Sequence, residues 1–129
     1  MTHHLPVRVY YEDTDMGGVV YYANYLKFIE RARSEIVEDL GVDQHAMKDA
    51  GLVFVVTRVV ADYLKPARMG DRLEVRTTHR APSPARWVFD QGVWRGETLL
   101  FQAEVTAVCM TLAGRPARLP AGLRDRLAR

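Results

Sequence analysis

Glu12, Asp13 and Asp15 stand just before the pair Gly17-Gly18, and a helical pattern opens a few residues later at Asn24. Five tyrosines, Tyr10, Tyr11, Tyr21, Tyr22 and Tyr25, surround this stretch. Each part has a chemical use. A carboxylate can attack a carbonyl carbon or draw a proton from water. Paired glycines let the backbone turn tightly and approach a ligand closely. The first amides of a helix have no partner within it and can hold a negatively charged oxygen. An acid beside such donors suits acyl transfer, in which a carbonyl oxygen gains charge as the carbon is attacked. Asp15 is the acid nearest the glycine turn, and the N–H groups near Tyr22 and Ala23 are the nearest helix-start donors. The same residues also read as a plain turn, in which Asp13 or Asp15 only caps the backbone.

No other nucleophile competes. Cys109 falls at an apolar position inside a strand-like run and reads as a core thiol. His3 and His4 read as a mobile terminus, and His45 and His79 share no motif with a Ser, Cys or Asp. No His or Cys spacing suggests a metal site, and none is expected. The glycine pair meets neither the dinucleotide nor the P-loop spacing.

The elements that must position this loop follow from periodicity. Val7–Tyr11 reads as a strand. Asn24–Leu40 reads as a helix, with Tyr25, Phe28, Ile29, Ala32, Ile36 and Leu40 on one face. Asn24 is placed to cap its start and Gly41 to close its end. Residues 42–50 read as a linker. Strands are expected at Leu52–Leu64, Arg72–Thr78, Ala85–Arg95 and Thr98–Leu112, the last two joined by a hairpin at Arg95-Gly96-Glu97. On the last strand Leu99, Phe101, Ala103, Val105, Ala107 and Cys109 share one face. Several of these strands are longer than the common five or six residues. Long strands must curl, and the single long apolar helix is the object to curl around. The fold class is α+β, a hotdog: a long antiparallel sheet wrapped on one central helix. One helix cannot cover both faces, and long edges need cover, so a homodimer or homotetramer is expected.

The chain has 129 residues, 48% of them hydrophobic and 26% charged, as expected of one globular domain. No apolar run reaches the roughly 20 residues of a membrane span. A lone cysteine and a start without signal-peptide anatomy suit a cytoplasmic protein. The net charge of +2 conceals an asymmetry. Residues 114–129 hold five arginines against one aspartate, a charge of +4, which leaves −2 on the rest. Residues 1–113 therefore read as the domain and residues 114–129 as a basic, Pro-containing tail. A solvated tail is the simpler reading than a nucleic-acid arm, and Pro116 and Pro120 exclude one continuous helix across it.

Several stretches point to a family: Val7 through Asp15, Gly18-Val19-Val20-Tyr21, Asn24-Tyr25-Leu26, and Phe28 with Glu30-Arg31-Ala32-Arg33. Together with Gly70-Asp71 and the final strands, they resemble the hotdog acyl-CoA thioesterases, in particular the Tol-Pal-associated, 4-hydroxybenzoyl-CoA thioesterase-like branch. The resemblance spans about Leu5 to Leu112. It implies hydrolysis of an acyl-CoA thioester to a free acid and coenzyme A, with coenzyme A as part of the substrate and no separate cofactor. It makes Asp15 the catalytic carboxylate, as nucleophile or general base. It gives the carbonyl-polarising bond to the amide of Tyr22, with Tyr11 as a side-chain contributor. Many relatives carry a histidine where this chain has Tyr22, so only a backbone role transfers there.

In this fold the ligand lies across a subunit interface. Gly18, Val19, Tyr21 and Tyr25 are expected along the acyl group, near the partner's Val55, Val56 and Thr57. Arg58, Lys65 and Arg86 are the candidate cations for the nucleotide phosphates. The donor is coenzyme A or an acyl carrier protein. A non-catalytic module that only binds such thioesters is the alternative, since hotdog domains also serve as ligand sensors.

Overall fold

The computed structural model describes residues 1–127. It consists of β1 (His3–Arg8), α1 (Asn24–Asp39), α2 (Gln44–Asp49), β2 (Leu52–Tyr63), β3 (Arg72–Arg80), β4 (Arg86–Arg95), β5 (Thr98–Thr111) and α3 (Ala121–Leu127). The strands form one antiparallel five-stranded sheet in the order β1-β3-β4-β5-β2, curled around α1. This is the expected hotdog.

Alternation along the strands puts the large apolar side chains on the concave face. Leu73 and Val75 of β3, Trp87, Phe89 and Val93 of β4, and Phe101, Val105 and Cys109 of β5 are all buried there. Against them α1 lays Tyr25, Phe28, Ile29, Ala32, Ile36 and Val37. Leu40 stays half-buried as the C-cap, and Gly41 follows in the left-handed region at φ 76°. Leu99 departs from the expected face. A bulge at Val93/Trp94 lets Trp94 pair with Leu99 and Val93 with Phe101, so Leu100 enters the core in its place.

One polar chain crosses this core. The Gln91 amide donates to the Ile29 carbonyl at 2.9 Å and to the Thr77 hydroxyl at 3.0 Å, and its oxygen accepts from Arg33 Nη1 at 3.1 Å. Thr77 and Gln91 are the two polar side chains that are fully buried among the described residues, and both are satisfied. Burial holds the Arg33 guanidinium below its ordinary range, an effect that Glu30 partly offsets.

Five expectations need correction. The first strand spans His3–Arg8 and ends before Tyr11 because residues 11–13 turn into a 3₁₀ helix. His3 is therefore not mobile: it pairs with Thr77, and its Nε2 lies 3.4 Å from Glu35 Oε1. The linker contains α2, capped by Asp43, which accepts from the Ala46 amide. His79 lies within β3 and accepts from Trp87 Nε1 at 3.1 Å. Finally, the basic tail returns to the domain, with Leu119 and Leu123 buried in the core. Ala117 N bonds the Cys109 carbonyl at 2.8 Å, and α3 starts directly after Pro120. Two of its arginines are spent on backbone carbonyls, Arg124 on Leu119 and Arg126 on Leu40.

Candidate active site

The loop from Tyr10 to Ala23 is built mainly by its own backbone. Asp15 N bonds the Val19 carbonyl at 3.0 Å, and Gly18 N bonds the Asp15 carbonyl at 3.0 Å. Gly18 completes this turn at φ 75°, where any side chain would be strained. Val20 is buried and ties the loop to the segment after β2 through Val20 N to Ala67 O at 2.8 Å. The Tyr25 hydroxyl accepts the Ala67 amide at 3.1 Å and fixes that segment in turn.

Asp13 and Asp15 lie close in sequence but do different work. Asp13 is structural. Its carboxylate takes the Tyr10 amide at 2.9 Å, and its carbonyl takes Tyr21 N and Asn24 Nδ2, both at 2.9 Å. It thereby clasps the loop to the start of α1. Asp15 is exposed, and its Oδ1 accepts the Gly17 amide at 2.9 Å. No donor among the described residues takes its other oxygen. The turn thus holds the carboxylate in place and leaves half of it free for chemistry.

The start of α1 is open. Ala23 occupies the N-cap position with no side-chain bond, because Asn24, expected there, is the first helical residue and points its amide at Asp13. Asn24 N bonds the Tyr21 carbonyl at 2.8 Å, and Leu26 N bonds the Ala23 carbonyl at 3.2 Å. No acceptor among the described residues takes the amide hydrogens of Tyr22 and Ala23. Two free donors therefore stand where the sequence places them.

The tyrosines divide. Tyr21 and Tyr22 are exposed, with ring centroids 4.9 Å apart. The neighbouring Tyr22 hydroxyl, and to a lesser extent burial and Asp15, push the Tyr21 phenol above its ordinary range. Tyr25, expected along the acyl group, is only 3% exposed and stacks on Phe101 at 5.1 Å. Its ring belongs to the core because it falls on the inner face of α1. Tyr11 is exposed and contributes its carbonyl to Thr14, not its hydroxyl to Asp15.

The cations are spread along the sheet. Lys65 follows β2 at the loop's own end. Tyr63 at that end pairs with Phe101, whereas Arg86 pairs with Val108, seven residues further along β5, or about 24 Å at strand rise. Arg58 lies five residues before Tyr63, about 17 Å away by the same measure. Within one chain, neither joins Asp15. A cavity of about 510 Å³ abuts the loop, lined by Arg8, Tyr10, Glu12, Asp13 and Glu30 but not by Asp15. Others lie further off: one of about 450 Å³ at the α1–α2 turn, lined by Glu38, Gly41 and Gln44, and one of about 380 Å³ on the convex face, lined by Asp62, Trp94 and Glu104. Among the described residues no group of three His, Cys, Asp or Glu side chains is placed to hold a metal, and no helix is long and apolar enough to cross a membrane. Burial pushes the Cys109 thiol up, which suits a core residue and not a nucleophile.

A sequence profile of the thioesterase-like superfamily matches residues 9–127, a span that includes the loop, the helix start and α3. The chain belongs to this superfamily. The chain is also 44% identical over 117 residues to the acyl-CoA thioester hydrolase YbgC of Escherichia coli O6:H1, covering 89% of this chain and 87% of that protein. It is 32% identical over 124 residues to the 1,4-dihydroxy-2-naphthoyl-CoA hydrolase of Thermosynechococcus vestitus, covering 91% and 85%. A probable thioesterase from Bartonella henselae has the same fold at TM-score 0.85 and 35% identity, covering 93% of this chain and all of that one. The protein is therefore a thioesterase, and its similarity to these relatives runs beyond the expected boundary at Leu112 into the returning tail.

The capping role that the sequence offers for Asp13 or Asp15 is the one Asp13 fills. Sequence reasoning missed one contributor to this thioesterase's loop, Tyr63, which carries no local signal. Its hydroxyl donates to the Tyr22 carbonyl at 2.9 Å across 41 residues of sequence, and only the course of β2 brings the two together.

Proposed function

We propose that this thioesterase hydrolyses acyl-CoA thioesters, with Asp15 as the reacting carboxylate and the free amides of Tyr22 and Ala23 as the grip on the thioester oxygen. The observation that carries the reading is the pairing of a turn-held, half-free carboxylate with two unpartnered helix-start donors at one end of the sheet. Attack on the carbonyl carbon moves charge onto its oxygen. A preorganised donor there is typically worth about 3 kcal/mol of barrier. Asp15 acts either as nucleophile, displacing coenzyme A thiolate to form an anhydride that water then opens, or as the base that takes a proton from the attacking water.

The proposed working unit is a two-fold dimer formed along β2. This strand is a sheet edge of twelve residues, and its Val55, Val56, Val59 and Val60 are all exposed. A long β-branched edge of this kind needs cover. Antiparallel pairing of β2 with its copy sets the Tyr63 end of one strand beside the Leu52 end of the other. The partner's Arg58 and Arg86 are thereby carried toward the loop that holds Asp15, where they complement Lys65 in binding the phosphates of coenzyme A. Gly18, over which a Cβ would meet open space, and Val19 with Tyr21 line the approach.

The test is thiol release from acetyl-, butyryl-, benzoyl- and palmitoyl-CoA, run beside a binding titration with the same thioesters. Turnover of at least one supports the reading. Tight binding without release favours the non-catalytic module, and release only from acyl carrier protein thioesters moves the donor from coenzyme A to the carrier.

A further inference from the structure

Two peptide groups aim the free amides at the start of α1, and each is held at its carbonyl end. The Tyr21–Tyr22 peptide is held by Asn24 N, which bonds the Tyr21 carbonyl at 2.8 Å. The Tyr22–Ala23 peptide has no such backbone partner. In a regular α-helix the Tyr22 carbonyl would accept from Leu26 N, four residues on. Here Leu26 N turns instead to the Ala23 carbonyl at 3.2 Å. The Tyr22 carbonyl is taken by the hydroxyl of Tyr63 at 2.9 Å.

The consequence follows from peptide geometry. Among the described residues no peptide bond is cis, and in a trans peptide the C=O and N–H point in opposite directions. A donor fixed on the Tyr22 oxygen therefore fixes the direction of the Ala23 N–H, aimed away from β2. It also draws charge along the amide and makes that N–H a stronger donor, since bonds in a chain polarise one another.

The Tyr63 ring is built in to do this. It packs edge-on against Phe101 at 5.0 Å, Tyr25 at 5.7 Å and Tyr22 at 6.2 Å. Phe101 and Tyr25 are themselves buried, so the ring is propped on the core while its hydroxyl reaches the loop. Burial, and then the nearby Tyr22, hold its phenol above the ordinary range, so the hydroxyl keeps the proton it donates.

We infer that Tyr63 is a positioning residue for catalysis: its hydroxyl orients and polarises the Tyr22–Ala23 peptide so that the Ala23 amide meets the thioester oxygen. This rests on the reading of Asp15 and the helix-start amides given above.

Tyr63→Phe tests it, because the ring and its packing remain and only the hydroxyl is lost. The expected result is a kcat lower by about tenfold, the scale of one hydrogen bond, with KM within about twofold. A merely structural hydroxyl would not lower kcat while sparing KM. The contact itself is checked in ¹⁵N-labelled enzyme without substrate, where the Ala23 amide resonance shifts in Tyr63→Phe while resonances of the distant β1–β3 ladder stay in place. An unchanged kcat, a change confined to KM, or an Ala23 resonance that does not move overturns the inference. Asp15→Asn, assayed beside it, separates the two levels. If Asp15→Asn is inactive and Tyr63→Phe matches wild type, the site reading stands and the role of Tyr63 falls. If Asp15→Asn retains full activity, both fall.

Discussion

The Asp15 carboxylate and the Gly17 amide meet at 2.9 Å, and a Cβ placed on Gly17 would lie only 3.2 Å from the same Asp15 oxygen. The turn thus sets the acid's position through a contact with almost no room to spare. Gly17 lies outside the left-handed region, so alanine fits the backbone there. Gly17→Ala is expected to shift the carboxylate by a few tenths of an ångström and lower kcat by about fivefold, because reacting groups tolerate little misplacement. The urea midpoint should hold or rise slightly, since alanine restricts the unfolded chain. Steady-state kinetics beside urea unfolding check this, and an unchanged kcat would mean that the turn does not set the acid's position.

Gln91 joins α1 to the sheet through two bonds, to Ile29 and Arg33, and ties β4 to β3 through a third, to Thr77. Gln91→Leu keeps much of the volume but strands the Thr77 hydroxyl and leaves the Arg33 guanidinium without its amide partner. A loss of about 2–3 kcal/mol in unfolding free energy is expected. Adding Thr77→Val should recover part of it by removing the orphaned hydroxyl. Urea denaturation of the two variants measures both changes.

His79 gives a pH dependence with a definite sign. Burial, followed by the positive charges of the N-terminus and His3, lowers its pKa in the folded state. The unfolded chain therefore takes up a proton first as pH falls. The stability contributed by neutral His79 is fully present above its unfolded pKa, about 6.5. It is lost progressively as pH drops from there toward the lower folded value. Between pH 7.5 and 5, the urea midpoint of His79→Gln should fall less than that of the wild type. Equal slopes would remove His79 as a cause.

Much of the architecture was legible in the sequence. The helix over residues 24–40 and the four later strands follow from apolar periodicity, because their buried faces are set by short-range alternation. The turn and helix start of the candidate site loop are legible because the acid, the glycines and the first helical residues are neighbours in sequence. What escaped depends on distant contacts. Leu119 and Leu123 look like part of a basic tail until the sheet offers them a gap to fill. Leu100 replaces Leu99 in the core because a bulge shifts the alternation by one residue. Tyr25 shows the same helical spacing whether it faces a ligand or the core, and only the position of Phe101 decides between them. Tyr63 finds Tyr22 through the fold alone.

The most direct measurement is the single-turnover hydrolysis of an acyl-CoA by Asp15→Asn, with folding verified by its urea midpoint. Asparagine keeps the oxygen that accepts the Gly17 amide but can neither displace the thiolate efficiently nor take a proton from water. A rate at least about a hundredfold below wild type, with the unfolding midpoint unchanged, is the expected result. A folded Asp15→Asn enzyme that cleaves the thioester at the wild-type rate would contradict the assignment of Asp15 as the reacting carboxylate.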